Sequence, residues 1–319
     1  MGRLVARRLI QAVPTWFGIT LVSFVVLRLA PSDPVSLMVA GAQNLSSQDL
    51  ATMRAAYGLD LPLPIQYLSW LGHLFTGDFG RSFIYKRPVV EMIGAALPNT
   101  LVLTLLALAL TLVLGVPLGL LAATYRGTWL DQVIRIVGVA GHAIPEFWFG
   151  LMFILICSVQ FRLFPVGGML TVGKDALDVA DRTSHLFGPV LTLSLAGVAN
   201  YSRYMRAETL EVLGQDFVRT ARAKGLPEHV VVFVHALRNA SLPLVTALGS
   251  QFAFLVSGAI VIEQVFAWPG MGRLAYDAAR SKDYPIVMGV VVISSTILLL
   301  SYIVRDVAYG LVDPRVSRS

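Results

Sequence analysis

The sequence predicts an all-α fold, a polytopic membrane protein with six membrane-spanning helices. Three observations carry this. The 319 residues are 56% hydrophobic and only 14% charged, against about 45–50% and roughly 25% in a soluble domain. Mean hydropathy is +0.71. The charges cluster, leaving intervals long enough for a helix of about 20 apolar residues to cross a ~30 Å hydrocarbon core. So little polar surface cannot coat a water-soluble globule, and a disordered chain would be charge-rich and apolar-poor. The single cysteine, Cys157, excludes an intrachain disulfide.

The first span, near 9–30, rests on the uncharged run Leu9–Leu27 between Arg8 and Arg28. Its basic start (Arg3, Arg7, Arg8) is like that of a secretory signal. The run exceeds a signal core of roughly 7–15 residues and no small-residue cleavage site follows, so it reads as an uncleaved anchor. The second, near 99–124, lies inside the uncharged interval Met92–Tyr125. The third, near 133–161, encloses one charge, Glu146, between Arg135 and Arg162. The fourth, near 186–205, rests on Thr183–Ser202. The fifth, near 241–264, rests on Asn239–Ile262, and the sixth, near 285–305, on Tyr284–Val304. Pro14, Pro117 and Pro145 are tolerated inside spans because neighbours re-satisfy freed backbone groups.

Orientation follows from the placement of Lys and Arg. With both termini inside, the inner segments hold 14 of the 25 basic residues against 7 acids. The net charge of +6 is then membrane topology, and no nucleic-acid partner is implied. The chain reads as one membrane domain, 1–319. A long outer segment, 31–98, has short helices expected near Ser46–Tyr57 and Leu63–Leu74. Further outer loops cover 162–185 and 265–284, and an inner segment covers 206–240.

That inner segment is the most informative. From Glu208 to Gly225 it is helix-permissive, with Leu210, Leu213, Phe217 and Ala221 at helical spacing. Gly225 and Pro227 stop it. A short amphipathic helix there either lies in the headgroups or docks in a groove on a cytoplasmic partner. Periodicity leaves the two open.

Catalytic chemistry is not written in the chain. Gly168 to Asp175 nearly matches a phosphate-binding loop, but Asp175 stands where a hydroxyl is needed and brings negative charge towards phosphates. No GxSxG, HExxH or CxxC pattern occurs, and His73, His142, His185, His229 and His235 are scattered, so no metal site is expected. Gly115 and Gly119 form a GxxxG pattern that permits close helix packing. Glu146 is either an intramembrane acid with a functional claim or, if its helix starts near Phe147, an interfacial residue. Glu263 reads as an ordinary residue at a helix end. An ion-coupled transporter would show several intramembrane ionisable groups and broken repeat helices, and an intramembrane enzyme would show a nucleophile–base or metal constellation.

Asp216-Phe217-Val218-Arg219-Thr220-Ala221-Arg222-Ala223-Lys224-Gly225-Leu226, followed by His235 to Pro243, resembles the cytoplasmic signature (EAA) loop of ABC importer permeases. More closely it resembles the dipeptide/oligopeptide/nickel-type family, in its first (B-type) permease subunit. Leu27 to Pro34, Tyr57 to Asp60, Gly80 to Phe83, Val265 to Arg273, Asp283 to Pro285 and Asp313 to Arg315 resemble other stretches of that family, in order. Two departures from the general loop, Arg219-Thr220-Ala221 without its glutamate and the late Pro243, are shared by the peptide-type subgroup.

The resemblance implies a type I ABC importer permease architecture and a non-catalytic subunit moving di- or oligopeptides, or similar small solutes, across a bacterial inner membrane by alternating access. Exporter and ion-coupled transporter readings are the alternatives. Implied partners are a second homologous permease, two ATPase subunits that bind Mg-ATP, an extracytoplasmic substrate-binding protein, the substrate and membrane lipid. This chain itself needs no cofactor. The implied ATPase-coupling residues are Asp216, Phe217, Arg219, Ala221, Arg222, Lys224, Gly225 and Leu226. The apolar face would anchor in the ATPase, and Arg219, Arg222 and Lys224 would pair with its acids. Glu146 and Asn200 are candidates for the translocation path. Asp78, Arg81, Trp268 and Arg273 are candidates for contact with the binding protein.

Overall fold

The computed structural model describes residues 2–29, 35, 47–56, 58–175, 178–241, 244 and 259–312. Among these, the only strand-like pairing is an isolated bridge between Arg81 and Pro88; the ordered elements are helices. Most of the fifth expected span, 241–264, lies outside the described residues, and its last turns, 259–265, are helical.

The helices are α1 (Gly2–Leu29), α2 (Ser47–Ala56), α3 (Leu63–Phe75), α4 (Val89–Thr124), α5 (Trp129–Ala143), α6 (Glu146–Phe153), α7 (Val179–Leu213) and α8 (Asp216–Ala223). Then come α9 (228–240, with a π-helical middle at Val231–Ala236), α10 (259–265), α11 (Met271–Ser281) and α12 (Tyr284–Val312). Three of them contain segments long and apolar enough to cross a membrane: Val5–Leu29, Val89–Thr124 and Tyr284–Val307.

The helix expected over 133–161 is two helices, α5 and α6, that meet at 99°. Pro145 disfavours helical backbone at the residue before it, and Ile144 is extended (φ −76°, ψ 124°). Beyond Phe153, α6 runs on as a π-helical turn, Ile154–Gln160. The span expected at 186–205 is the middle of α7, which starts earlier and ends later. Asp178 caps its start by accepting the Asp181 N–H at 3.0 Å. The interior of α7 is rich in small and polar residues, with Gly188, Thr192, Ser194, Gly197 and Ser202 buried. Enclosed by other helices, it needs no lipid-facing apolarity.

At 36 residues, α4 is about 54 Å long and serves as the spine. Val89, Ile93 and Ala96 pack with Met271, Ile286 and Val290. Leu103 and Ala107 pack with Phe153, Leu193 and Ile262. Leu120 packs with Met205, Val212, Val218 and Val231. A fourth cluster joins Phe24 of α1 to Tyr67 and Leu71 of α3 and Met288 of α12.

The GxxxG pattern is the α4–α7 crossing. A Cβ on Gly115 would lie 2.9 Å from Tyr201 Cβ, and one on Gly119 2.7 Å from Met205 Cβ. Without side chains there, the backbones approach closely. Large apolar residues face outward elsewhere: Ile10 is 73% exposed and Ile136 67%. A soluble protein leaves no such continuous apolar faces bare, and a bilayer covers them.

Candidate functional site

The inner segment does not form the single helix the spacing suggests. Gly214 and the extended Gln215 (φ −78°, ψ 155°) separate α7 from α8. The stripe Leu210–Leu213–Phe217–Ala221 is therefore split between two helices. In α8, Val218 is 0% exposed and Ala221 7%, both packed into the cluster with Leu120, Met205 and Val232. The apolar face of α8 is rooted in its own chain, and Ala221, expected at the partner surface, points inward. Asp216, Phe217, Arg219, Arg222, Lys224, Gly225 and Leu226 are exposed.

The end of α8 is built by Gly225. Its φ of +75° is a left-handed conformation that costs other residues dearly. The Leu226 N–H donates to Ala221 O (3.3 Å) and the Gly225 N–H to Arg222 O (2.9 Å), the paired bonds of a Schellman ending. The exposed cations are not equivalent. Arg222 forks onto Glu228, Nη2 to Oε1 at 2.6 Å and Nε to Oε2 at 3.1 Å. Those hydrogen bonds hold the Glu228 carboxyl below its ordinary value. Arg219 meets Asp216 only at 3.4 Å, and Lys224 makes no ion pair among the described residues. Within the chain, the acid that meets Arg222 is Glu228.

Asp131 of α5 is 1% exposed. It accepts from Arg206 of α7 through both carboxylate oxygens (2.8 and 2.9 Å) and from the Gly127 N–H (3.0 Å). This clamp ties the α4–α5 turn to the stem that carries α8. Sequence reading misses Val218, Glu228 and the Asp131–Arg206 pair. A three-residue apolar step from Val218 to Ala221 is the signal that finds the first; nothing local reveals the others.

The helix that carries Glu146 starts at Glu146 itself, one residue before Phe147. Glu146 thus opens α6, directly after the bend, and is half-buried, in a first turn that favours an acid. Asn200, half-buried on α7, accepts from Arg203 at 2.6 Å. No hydrogen bond joins Glu146 to Asn200 among the described residues.

At the opposite end, Trp268 is 1% exposed and its indole N–H donates to Asn99 O at 3.1 Å. Its side chain is core and offers no docking surface, contrary to expectation. Glu263, 0% exposed, is the buried acceptor that starts α11. Thr100 Oγ1 donates to it at 2.5 Å and the Arg273 N–H at 3.0 Å, while the Met271 N–H donates to Thr100 Oγ1 at 2.8 Å. Gly270 must lack a Cβ, which would overlap the Glu263 carboxylate. Arg273 is half-exposed and donates to Ala267 O at 2.6 Å.

Asp78 and Arg81 are exposed. Arg81 donates to Lys86 O at 2.9 Å. Their turn is held by buried Asp283, which accepts from Ser82 Oγ (2.5 Å) and from the N–H groups of Phe83 and Ile84 (3.1 Å each). In the near-match to a phosphate loop, the Thr171 hydroxyl and N–H donate to Asp181 (2.7 and 2.8 Å), and Lys174 pairs with Asp178 at 3.1 Å. The polar groups of that stretch are thus engaged within the chain.

Comparison with known proteins identifies the family. The family described as "Binding-protein-dependent transport system inner membrane component" matches residues 115–318. A companion family for the N-terminal part of such membrane components matches residues 1–104. The oligopeptide transport system permease protein AppB of Bacillus subtilis (strain 168) is 41% identical over 317 residues, covering 99% of each chain. The dipeptide transport system permease protein DppB of Escherichia coli (strain K12) is 38% identical over 336 aligned residues, again covering 99% of each. The inward-facing MetNI methionine ABC transporter gives a structural match at TM-score 0.55 and 18% identity, over 70% of this chain and 97% of that one; at that identity it bears on fold alone. The chain is a permease of ABC importer type and belongs to the family of inner membrane components of binding-protein-dependent transport systems.

Proposed function

We propose that this chain is the first of two homologous permease subunits of an ATP-driven importer of di- or oligopeptides, or similar small solutes, across a bacterial inner membrane. The peptide assignment is supported by the near full-length similarity to permeases named for oligopeptide and dipeptide transport. The permease itself is non-catalytic; Mg-ATP binds and is hydrolysed in two partner ATPase subunits. Both termini face the cytoplasm. A substrate-binding protein delivers cargo at the end bearing Asp78, Arg81 and Arg273. Cargo then passes between this subunit and its sister, by a path to which Glu146 and Asn200 contribute.

The observation that carries the coupling reading is α8 itself. It is anchored through Val218 and Ala221 to the ends of α4 and α7, while Phe217, Arg219, Lys224 and Leu226 face outward. A short rigid element rooted in two long helices transmits a push from an ATPase as a rigid-body movement. The test is affinity purification of the tagged chain from its own host. The wild type retains ATPase subunits and a second permease. The Arg219→Glu/Lys224→Glu double variant retains the second permease and loses the ATPase. Full ATPase retention by that variant would refute the docking role.

A further inference from the structure

α5 and α7 lie side by side and antiparallel. Asp131 meets Arg206, a Cβ on Gly138 would lie 3.7 Å from Ser202 Oγ, and one on Gly141 3.5 Å from Leu195 Cδ1. These pairs mark the contact line on each helix. At about 100° per residue, Arg135 and His142 stand roughly 60–80° round α5 from that line. Arg203 stands about 70° and Asn200 about 130° round α7 in the same rotational sense. On antiparallel neighbours the same sense is the same flank, so the four side chains share one. Tyr201 and Met205, which meet Gly115 and Gly119 of α4, turn the other way, so this flank faces away from α4. Arg135, His142 and Arg203 are exposed and Asn200 is half-buried. Further out α6 crosses the same flank of α7, where a Cβ on Gly150 would lie 3.4 Å from Thr192 Cγ2. The flank is therefore open from Asn200 inward and covered beyond.

The other flank of α5 is apolar, with Val133 45% and Val137 63% exposed. Counted from Asp131 at the inner boundary, His142 lies about 16 Å into a hydrocarbon core of ~30 Å. Polar side chains at that depth face water or protein in preference to acyl chains. The charge on this flank is one-sided. Asp131, the one acid in 131–142 and 195–206, has both carboxylate oxygens on Arg206. Arg203 donates to Asn200 Oδ1 at 2.6 Å. Arg135 makes no hydrogen bond or ion pair among the described residues. It lies level with Arg203, because Asp131 is level with Arg206 and Gly138 with Ser202.

We infer that this flank is one wall of a water-filled inner vestibule, and that Arg135 and Arg203 receive the carboxylate of the cargo there. The inference rests on the reading of the chain as a peptide importer permease and gives its path a chemistry. A guanidinium offers a carboxylate two parallel N–H donors, and two of them at one level make the wall selective for an anion. Asn200 holds the Arg203 fork in place from the same helix. With α6 across the outer part of the flank, cargo that reaches the wall leaves inward.

The test is thiol labelling of this chain in the whole importer complex, held in nanodiscs, with Cys157→Ser removing its native thiol. Cysteine replaces in turn Val139, 58% exposed on the polar flank between Arg135 and His142, and Val137 on the apolar flank. A methanethiosulfonate bearing a sulfonate is compared with one of similar size bearing a trimethylammonium group. Val139→Cys reacts with both, faster with the sulfonate, and Val137→Cys with neither. Arg135→Gln/Arg203→Gln lowers the preference for the sulfonate about tenfold, the scale of nearby charges in a partly screened site. Dialanine, supplied with the binding protein and ATP, slows labelling of Val139→Cys, and dialanine amide does not. An unreactive Val139→Cys overturns the water-filled wall in favour of a lipid or sister-helix cover. An unchanged preference in the double variant overturns the role of the two arginines, and equal protection by the amide overturns the carboxylate. Dipeptide uptake by the Cys157→Ser complex in proteoliposomes separates the two readings. Absent uptake refutes peptide import, whereas intact uptake with an unreactive Val139→Cys refutes the wall alone.

Discussion

Substitutions at Gly225 separate backbone shape from charge at the end of α8. A Cβ at Gly225 meets no atom within 4 Å, so the penalty for alanine is conformational. Holding φ near +75° costs alanine about 1–2 kcal/mol, which lowers the fraction of correctly ended helix roughly 5–30-fold. Asparagine adopts the left-handed region more readily and keeps the two closing hydrogen bonds. Aspartate keeps the same shape but sets a negative charge at the negative end of the helix dipole, unfavourable by about 0.3–1 kcal/mol, beside Arg222 and Lys224. The assay is substrate transported per ATP hydrolysed in proteoliposomes of the whole complex. Gly225→Asn is expected to couple nearly as wild type, Gly225→Asp less well, and Gly225→Ala worst, with insertion and assembly unchanged. Equal coupling by the alanine and asparagine variants would refute the capping argument. Equal coupling by the asparagine and aspartate variants would refute the role of charge.

Four further outcomes are expected. Asp131→Asn leaves Arg206 without its buried partner and lowers stability by about 3–5 kcal/mol, read as a fall in the thermal midpoint of the purified permease; an unchanged midpoint counts against the clamp. Gly119→Leu forces α4 from α7 and costs at least the roughly 1–3 kcal/mol of an overpacked core, checked the same way. Glu263→Gln turns an amide donor towards the backbone N–H groups of α11 and costs about 1–3 kcal/mol, with faster proteolysis near residues 270–283 as the readout. Hydrogen bonds from the Thr171 hydroxyl and N–H hold the Asp181 carboxyl below its ordinary value. Its stabilisation is thus complete above the unfolded carboxylate pKa of about 3.9 and lost as pH falls through the lower folded value. Proteolysis near residues 166–178 should rise only in strong acid, and Asp181→Asn should remove that dependence.

Much of the fold was legible because span length and charge placement are local. The apolar runs that became α1, α4 and α12 are visible as gaps between charges, and the end of α8 is visible as Gly225. The bend at Pro145 was half-legible: a proline inside a membrane helix is as often accommodated as broken, and only packing decides. At the candidate site, the helix within Asp216 to Leu226 and its end were legible while its inward face was not. The apolar spacing was carried through Gly214, where the chain turns. Trp268 shows the reverse error, since an aromatic in a loop between spans looks available until the loop folds over it.

The sequence by itself determined that this is an all-α membrane chain, where its charges gather, and that the inner segment carries a short helix ending at Gly225. Composition and period suffice for those, because burial in lipid and helix formation act on contiguous residues. Tertiary structure alone decided that Val218 and Ala221 anchor that helix, that Arg222 is already paired with Glu228, and that Asp131 clamps Arg206. It also decided that Glu263 and Asp283 are buried acceptors rather than surface charges. Each of these joins residues from separate elements; the pairing of Arg222 on α8 with Glu228 on α9 needs the turn at Gly225. A buried carboxylate takes its role from the donors that folding brings to it.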